Sequence, residues 1–141
     1  MKHKLSFCFL FLLGACSYGL IEILWRGHTH WSMPVAGGIC LMLLYTIEEA
    51  FSSLSLCAKC LFGAFLITGL EFTAGCLVNL TAHLAVWDYS DLAFNFLGQT
   101  CLLYSVLWYL LCFPAFAICH LLHNFFQHAT VQPASDIFAK K

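Results

Sequence analysis

Charge is scarce in this chain. Of 141 residues, 9% are Asp, Glu, Lys or Arg, against about 25% in an ordinary soluble domain. A globule facing water could not be clothed from so small a supply, which excludes a soluble enzyme. Basic excess is missing as well. Six Lys plus Arg stand against seven Asp plus Glu, a formal net charge of −1, so no patch exists to neutralise nucleic-acid phosphates. Nor does Gly-x-x-x-x-Gly-Lys-[Ser/Thr] occur anywhere, so the chain has no phosphate cradle of its own. No cofactor is expected.

Apolar side chains make up 62% of the sequence, with a mean hydropathy of +0.86. The bilayer must then be the solvent. A spanning helix takes about 20 residues, and four apolar stretches meet that requirement, near residues 5–25, 34–51, 60–81 and 96–120. Lipid offers backbone groups no hydrogen bonds, so each must be helical. The expected fold is therefore all-α, a polytopic bundle of four transmembrane helices over residues 1–126, followed by a cytoplasmic tail, 127–141. Lys2, Lys4, Lys59, Lys140 and Lys141 fall on the side of the termini and the second loop, and only Arg26 falls on the other. That asymmetry predicts cytoplasmic N- and C-termini.

Two features have simpler readings than they first suggest. Leu13-Gly14-Ala15-Cys16 has the form of a lipoprotein signal, but Gly19-Leu20-Ile21 continues the apolar run where a soluble stretch should follow. Most of the nine cysteines lie inside spans, where they act as small packing residues. Cys57-Ala58-Lys59-Cys60 lacks the strand-helix context of a redox motif. His28, His30 and Glu22 are the best-placed trio for a metal, without a fixed fourth ligand; no metal site is assigned.

The few charges are informative by position. Tyr18, Glu22, Arg26 and His30 recur every four residues in the first span, and Glu71, Gly75, Asn79, His83 and Trp87 do so in the third. Each set drifts by only about 40° per step, so both odd-numbered helices should carry a polar line facing its counterpart or a hydrated cavity. Glu71 is the sharpest member. An ionised acid at the centre of a span costs about 2.5–3.5 kcal/mol on insertion scales, and the alternative is a protonated acid serving as helix glue. Arg26 follows Glu22 at i+4, the favourable order for an ion pair. Trp87, Asp88, Tyr89, Ser90, Asn95 and Gln99 gather where the fourth span should begin, with Asp88 or Ser90 placed to cap a helix and Trp87 and Tyr89 also suited to headgroup-level anchoring. The matching order Gly-Leu-(Ile)-Glu, Trp, Gly and Cys-Leu in the two halves suggests a duplicated helix hairpin with a parallel repeat. Of thirteen charged residues, five lysines report orientation and Glu48, Glu49 and Asp136 sit at the cytoplasmic edge or tail. Glu22, Arg26, Glu71, Asp88 and Asp91 are left to carry function.

Three blocks carry a resemblance: Glu22-Ile-Leu-Trp-Arg-Gly-His-Thr-His-Trp-Ser-Met33; Glu71-Phe-Thr-Ala-Gly75 with Asn79; and Val86-Trp-Asp-Tyr-Ser90 followed by Asn95, Gly98 and Trp108. They resemble small bacterial membrane proteins classed as ABC-transporter type IV permease-like, and the second and third blocks also resemble the eukaryotic transmembrane protein 229 family. The resemblance implies a multi-pass protein of the bacterial inner membrane with a transport role, and supplies no catalytic residues. Without a phosphate cradle and with only four spans, such a role needs a separate ATPase subunit or a second copy. Three readings follow. The first is a transport or solute-binding subunit in which Glu22, Arg26, Glu71, Asn79, His83 and Asp88 line a cavity opening outward and Glu71 takes up a proton or cation; His30, Trp87, Tyr89, Ser90, Asn95 and Gln99 are further candidate binding residues. The second is an adaptor or regulatory protein whose polar residues specify helix packing. The third is a lipid enzyme using Glu71 or Asp88 with His30 or His83.

Overall fold

A computed structural model describes the backbone of residues 2–131 and the side chains of residues 6–127. Four long helices run antiparallel: α1 (Lys2–Arg26), α2 (Ser32–Ala50), α3 (Leu56–Gly75), prolonged by a π-helical turn over Cys76–Thr81, and α4 (Leu102–Val131). All four are long and apolar enough to cross a membrane. Large side chains such as Leu24, Phe65, Leu110 and Leu121 point outward, which is tolerable only where hydrocarbon replaces water. The protein is a multi-pass membrane protein.

Local chemistry sets the boundaries. Gly27, at φ +75°, closes α1 with its amide on the Ile23 carbonyl, a left-handed step that costs glycine nothing. Pro34 sits in the first turn of α2, where no partner is lost. Ser55 caps α3 by accepting from the Ala58 amide. The fourth span departs from expectation. It begins at Leu102 instead of near residue 96, because Asn95–Phe96 (β1) and Thr100–Cys101 (β2) pair as a short antiparallel hairpin. Its tight turn places Leu97 and Gly98 at φ 52° and 67°, as mirror-image hairpin turns require. Turn chemistry there overrides an apolar run. α4 also outlasts the expected span, and residues 132–141 of the expected tail lie outside the described residues.

α1 packs along α2 and α3 along α4, while α2 also touches both α3 and α4. The α1–α2 contact depends on small residues. A Cβ on Gly14 would lie 2.6 Å from the Gly37 carbonyl oxygen, and one on Gly37 would overlap Tyr18; such close approach replaces the hydrophobic drive that lipid does not supply. The core holds Leu10, Leu41, Leu44, Tyr45 and Phe116 with Cys60, Cys112 and Cys119. The last two cysteines pack as expected from the sequence, whereas Cys8 and Cys16 are exposed on α1, and all nine are free thiols.

At the end of the bundle where α1 begins, Lys59 Nζ donates to Glu48 Oε2 at 2.9 Å, with both side chains under a tenth exposed. His120 Nδ1 reaches Glu48 Oε1 at 2.9 Å, and His123 Nδ1 lies 3.7 Å from Glu49. Lys59, which in the sequence counts only toward orientation, thus belongs to α3 and ties it to α2 and α4 through one carboxylate.

Gly14→Leu should force α1 and α2 apart and destabilise the bundle by about 1–3 kcal/mol, the usual scale of overpacking, seen as a lower thermal unfolding temperature in detergent. Gly69→Ala, where nothing lies within 4 Å of the added Cβ, should change little. Equal effects would overturn the close-approach account.

Candidate functional site

Glu71 lies ten residues before the end of the third span, about 15 Å deep at 1.5 Å per residue, and is 9% exposed. Its Oε2 accepts from Trp108 Nε1 at 3.0 Å and Thr100 Oγ1 at 3.2 Å, and its Oε1 from Tyr89 Oη at 3.0 Å. The indole N–H can only donate, so Oε2 is fixed as an acceptor. Hydrogen bonds to a charged group contribute about 1.5–3 kcal/mol each, so three of them offset the insertion cost of about 2.5–3.5 kcal/mol. Among the described residues, no cationic side chain comes within 4.0 Å of Glu71.

Two of those donors come from the connection between the third and fourth spans, residues 82–101, which folds back over Glu71. Asn79, in the π turn, is its anchor. Nδ2 donates to the Trp87 carbonyl (2.9 Å) and to Gln99 Oε1 (2.8 Å), while Oδ1 accepts from the Val86 amide (2.7 Å). Trp87 Nε1 donates to the Gln99 carbonyl at 2.9 Å, and Arg26 Nη2 to the Val86 carbonyl at 2.6 Å. Asn95 Nδ2 bridges the carbonyls of Ser90 and Leu92. The segment holds His83, Ala85, Phe94 and Leu97 at positive φ, costing on the order of 1–3 kcal/mol per residue and persisting only where surrounding contacts over-determine the backbone.

Below the loop the helices line a partly open cavity of about 260 Å³. Its wall is chiefly aliphatic, from side chains such as Leu13, Leu41, Ile67 and Leu111, and Tyr18, Glu71, Trp87 and Trp108 also border it. Pro114, in the same wall, lacks the N–H that would close on the Leu110 carbonyl. Tyr18 and Trp108 lie against each other, ring centroids 5.9 Å apart, and Tyr104 stacks on Tyr89 at 4.5 Å.

The model of the family described as "Putative ABC-transporter type IV" matches residues 29–139, well over half the chain. The chain belongs to this family. No curated protein and no solved structure matches, and similarity to the eukaryotic family is not shown. The family match takes in Glu71, the loop over it and Trp108, and begins after Glu22 and Arg26.

Within this family member the residues singled out from the sequence fall to the cavity, to the loop that covers it, or to neither. Glu71 and Trp87 border the cavity. Tyr89 holds Glu71, while Asn79, Gln99, Asn95 and Arg26 tie down the loop. The cavity is thus largely apolar, where a polar one is expected from the sequence, because most of the polar side chains turn toward loop carbonyls and amides. Glu22 pairs with Arg26 at 3.3 Å, as its spacing indicates, and accepts from Thr29. The leading members of the two polar lines, Tyr18 and Glu71, border the same cavity, while Arg26 and Asn79 farther along reach the loop; α3 gives way to the π turn after Gly75, which ends at Thr81. His83 therefore lies beyond the helix and is exposed. His30 Nδ1 accepts from the Ser32 amide, and His28 Nδ1 donates to the Arg26 carbonyl. Asp88 accepts from the Ser90 amide and hydroxyl, capping a turn of the loop and not a helix; a Cβ on Gly98 would collide with this turn. Among the described residues no three or more His, Cys, Asp or Glu side chains are grouped to hold a metal. Sequence reasoning missed Thr100 and Trp108 as ligands of Glu71, and the cluster of Glu48, Lys59 and His120. Glu48 and Lys59 flank the 51–55 connection at almost equal distance, a signal that could have revealed their pairing.

Burial, with the Glu71 carboxylate beside it, pushes the Tyr89 phenol above its usual range, so it remains a donor across ordinary pH. Asp88 is held below the usual carboxylate range by the Ser90 hydroxyl and then the Ser90 amide. A carboxyl lowered on folding stabilises above its unfolded value, about 3.9, and loses that contribution as pH falls through the lowered value. Asp88→Asn should therefore leave the pH dependence of tryptophan fluorescence unchanged from pH 8 to 5 and differ from the wild type only under more acidic conditions; a difference between the two near neutrality would contradict this. Asn79→Leu strands the Val86 amide and the Trp87 carbonyl, a loss of about 1–3 kcal/mol for each group. Hydrogen exchange should quicken across residues 82–101 while the helices stay protected.

Proposed function

We propose that the chain is a solute-binding membrane subunit of a transport system, without nucleotide hydrolysis or other enzymatic activity of its own, and that its binding site is the cavity beneath the 82–101 loop. The observation that carries this reading is a buried carboxylate, Glu71, in the wall of an otherwise apolar chamber at the bundle centre. An apolar pocket with a few converging polar groups is the usual form of a small-molecule site. Membership in an ABC-transporter type IV family supports the transport context, and the absence of a phosphate cradle assigns ATP hydrolysis to a separate subunit. Four spans supply too small a pathway for a complete permease, so a second copy or another membrane subunit completes it. The lysine asymmetry supports cytoplasmic termini, and the family resemblance supports a bacterial inner membrane.

A second reading, an adaptor whose polar residues specify packing, draws support from the number of polar side chains that pair within the chain. Solid-supported-membrane recordings on reconstituted protein separate the two. Rapid exchange of amines, carboxylates and sugars should give a charge-displacement current for at least one class in the wild type. Glu71→Gln and the cavity-filling Ala36→Phe should both abolish it. Silence to every class, together with reduced thermal stability of Glu71→Gln, would favour the adaptor.

A further inference from the structure

We propose that the ligand of this cavity is a small organic monocation with an apolar body, such as a quaternary or protonated amine, held by Glu71 and by the rings of Tyr18, Trp87 and Trp108. This inference rests on the solute-binding reading and names its chemical class. Size comes first. At about 260 Å³ the cavity lies near the lower end of the range of about 300–1,000 Å³ for small-molecule sites, which suits a compact organic ligand.

Charge comes next. The wall contains one carboxylate and no Lys, Arg or His, so an anion would meet repulsion without a partner. A hydrated inorganic ion would need several oxygen ligands, and the wall offers one carboxylate with the hydroxyls of Ser17 and Tyr18. A sugar would leave most of its hydroxyls against Leu and Ile. A purely apolar solute would fill the chamber but leave Glu71 without a counter-charge. The three donors occupy one acceptor site on Oε1 and two on Oε2, and a carboxylate has about four such sites. One site, on Oε1, remains.

The aromatic walls complete the fit. Tyrosine and tryptophan faces attract cations within about 6 Å, most strongly when water is excluded. Tyr18, Trp87 and Trp108 border the same cavity as the carboxylate, which Trp108 itself holds through its N–H. A diffuse, weakly hydrated ammonium bearing an aliphatic or aryl body satisfies the carboxylate, the rings and the aliphatic remainder together.

Benzyltrimethylammonium and its neutral isostere neopentylbenzene test the assignment. Both are titrated into the full chain in nanodiscs, with saturable tryptophan quenching as the readout and concentrations counted in the membrane phase. The cation should bind at least about tenfold more tightly, about 1.4 kcal/mol. Glu71→Gln should narrow that ratio to within about twofold. Tyr18→Leu, which leaves all three hydrogen bonds to Glu71 in place, should weaken the cation several-fold and leave neopentylbenzene unchanged; it decides the matter should Glu71→Gln fail to fold. Equal binding of the two compounds by the wild type would overturn the cation assignment while leaving a solute cavity in place. Saturable binding of neither would overturn both.

Discussion

Hydrocarbon provides no hydrogen bonds, and the placement of Glu71 about 15 Å inside a spanning helix turns that fact into a demand on the rest of the chain. Donors must be brought to it. Trp108 comes from α4, but Tyr89 and Thr100 come from the connection, which must therefore descend into the end of the bundle instead of passing over it. That descent needs an anchor, provided by Asn79, and a reversal, provided by the β1–β2 hairpin. It also needs backbone conformations that non-glycine residues avoid, provided at His83, Ala85, Phe94 and Leu97. The shape of the whole loop end follows from one carboxylate.

The same demand explains why the cavity is apolar. A polar residue in lipid is most stable when paired within the protein, and Asn79, Gln99 and Arg26 have been drawn into pairing with the loop. Glu71 and Trp87 face both ways, bonded to the loop and bordering the chamber. The chamber is consequently a place where one carboxyl group and a few aromatic rings are set into an otherwise aliphatic wall.

Four spans were legible in the sequence because a helix in lipid is signalled by composition over about twenty residues, a signal that survives local detail. The Glu22–Arg26 pair was legible from its i+4 spacing, and the importance of Glu71 from its rarity. The loop was not. Phe96 and Leu97 read as the start of a helix because they are apolar, and only their pairing with Thr100 and the tethers from Asn79, twenty residues from Gln99 in sequence, make them a hairpin. Trp108 read as one aromatic among many, since nothing local marks an indole whose N–H is aimed at a carboxylate 37 positions away. The bond between Glu48 and His120, 72 positions apart, was hidden for the same reason, whereas the placing of Glu48 and Lys59 on either side of the 51–55 turn was a local signal of their pairing.

The architecture of the 82–101 segment bears on how the protein can be altered in the laboratory and over evolution. Long connections between spans are ordinarily the places that accept epitope tags, reporter fusions and natural insertions, because their backbone has no fixed commitments. Here the longest connection is the most committed stretch of backbone, and the short turn at residues 51–55, on the opposite end, is the permissive one. Length variation among related chains should accumulate at that turn, while the longer segment keeps a constant residue count.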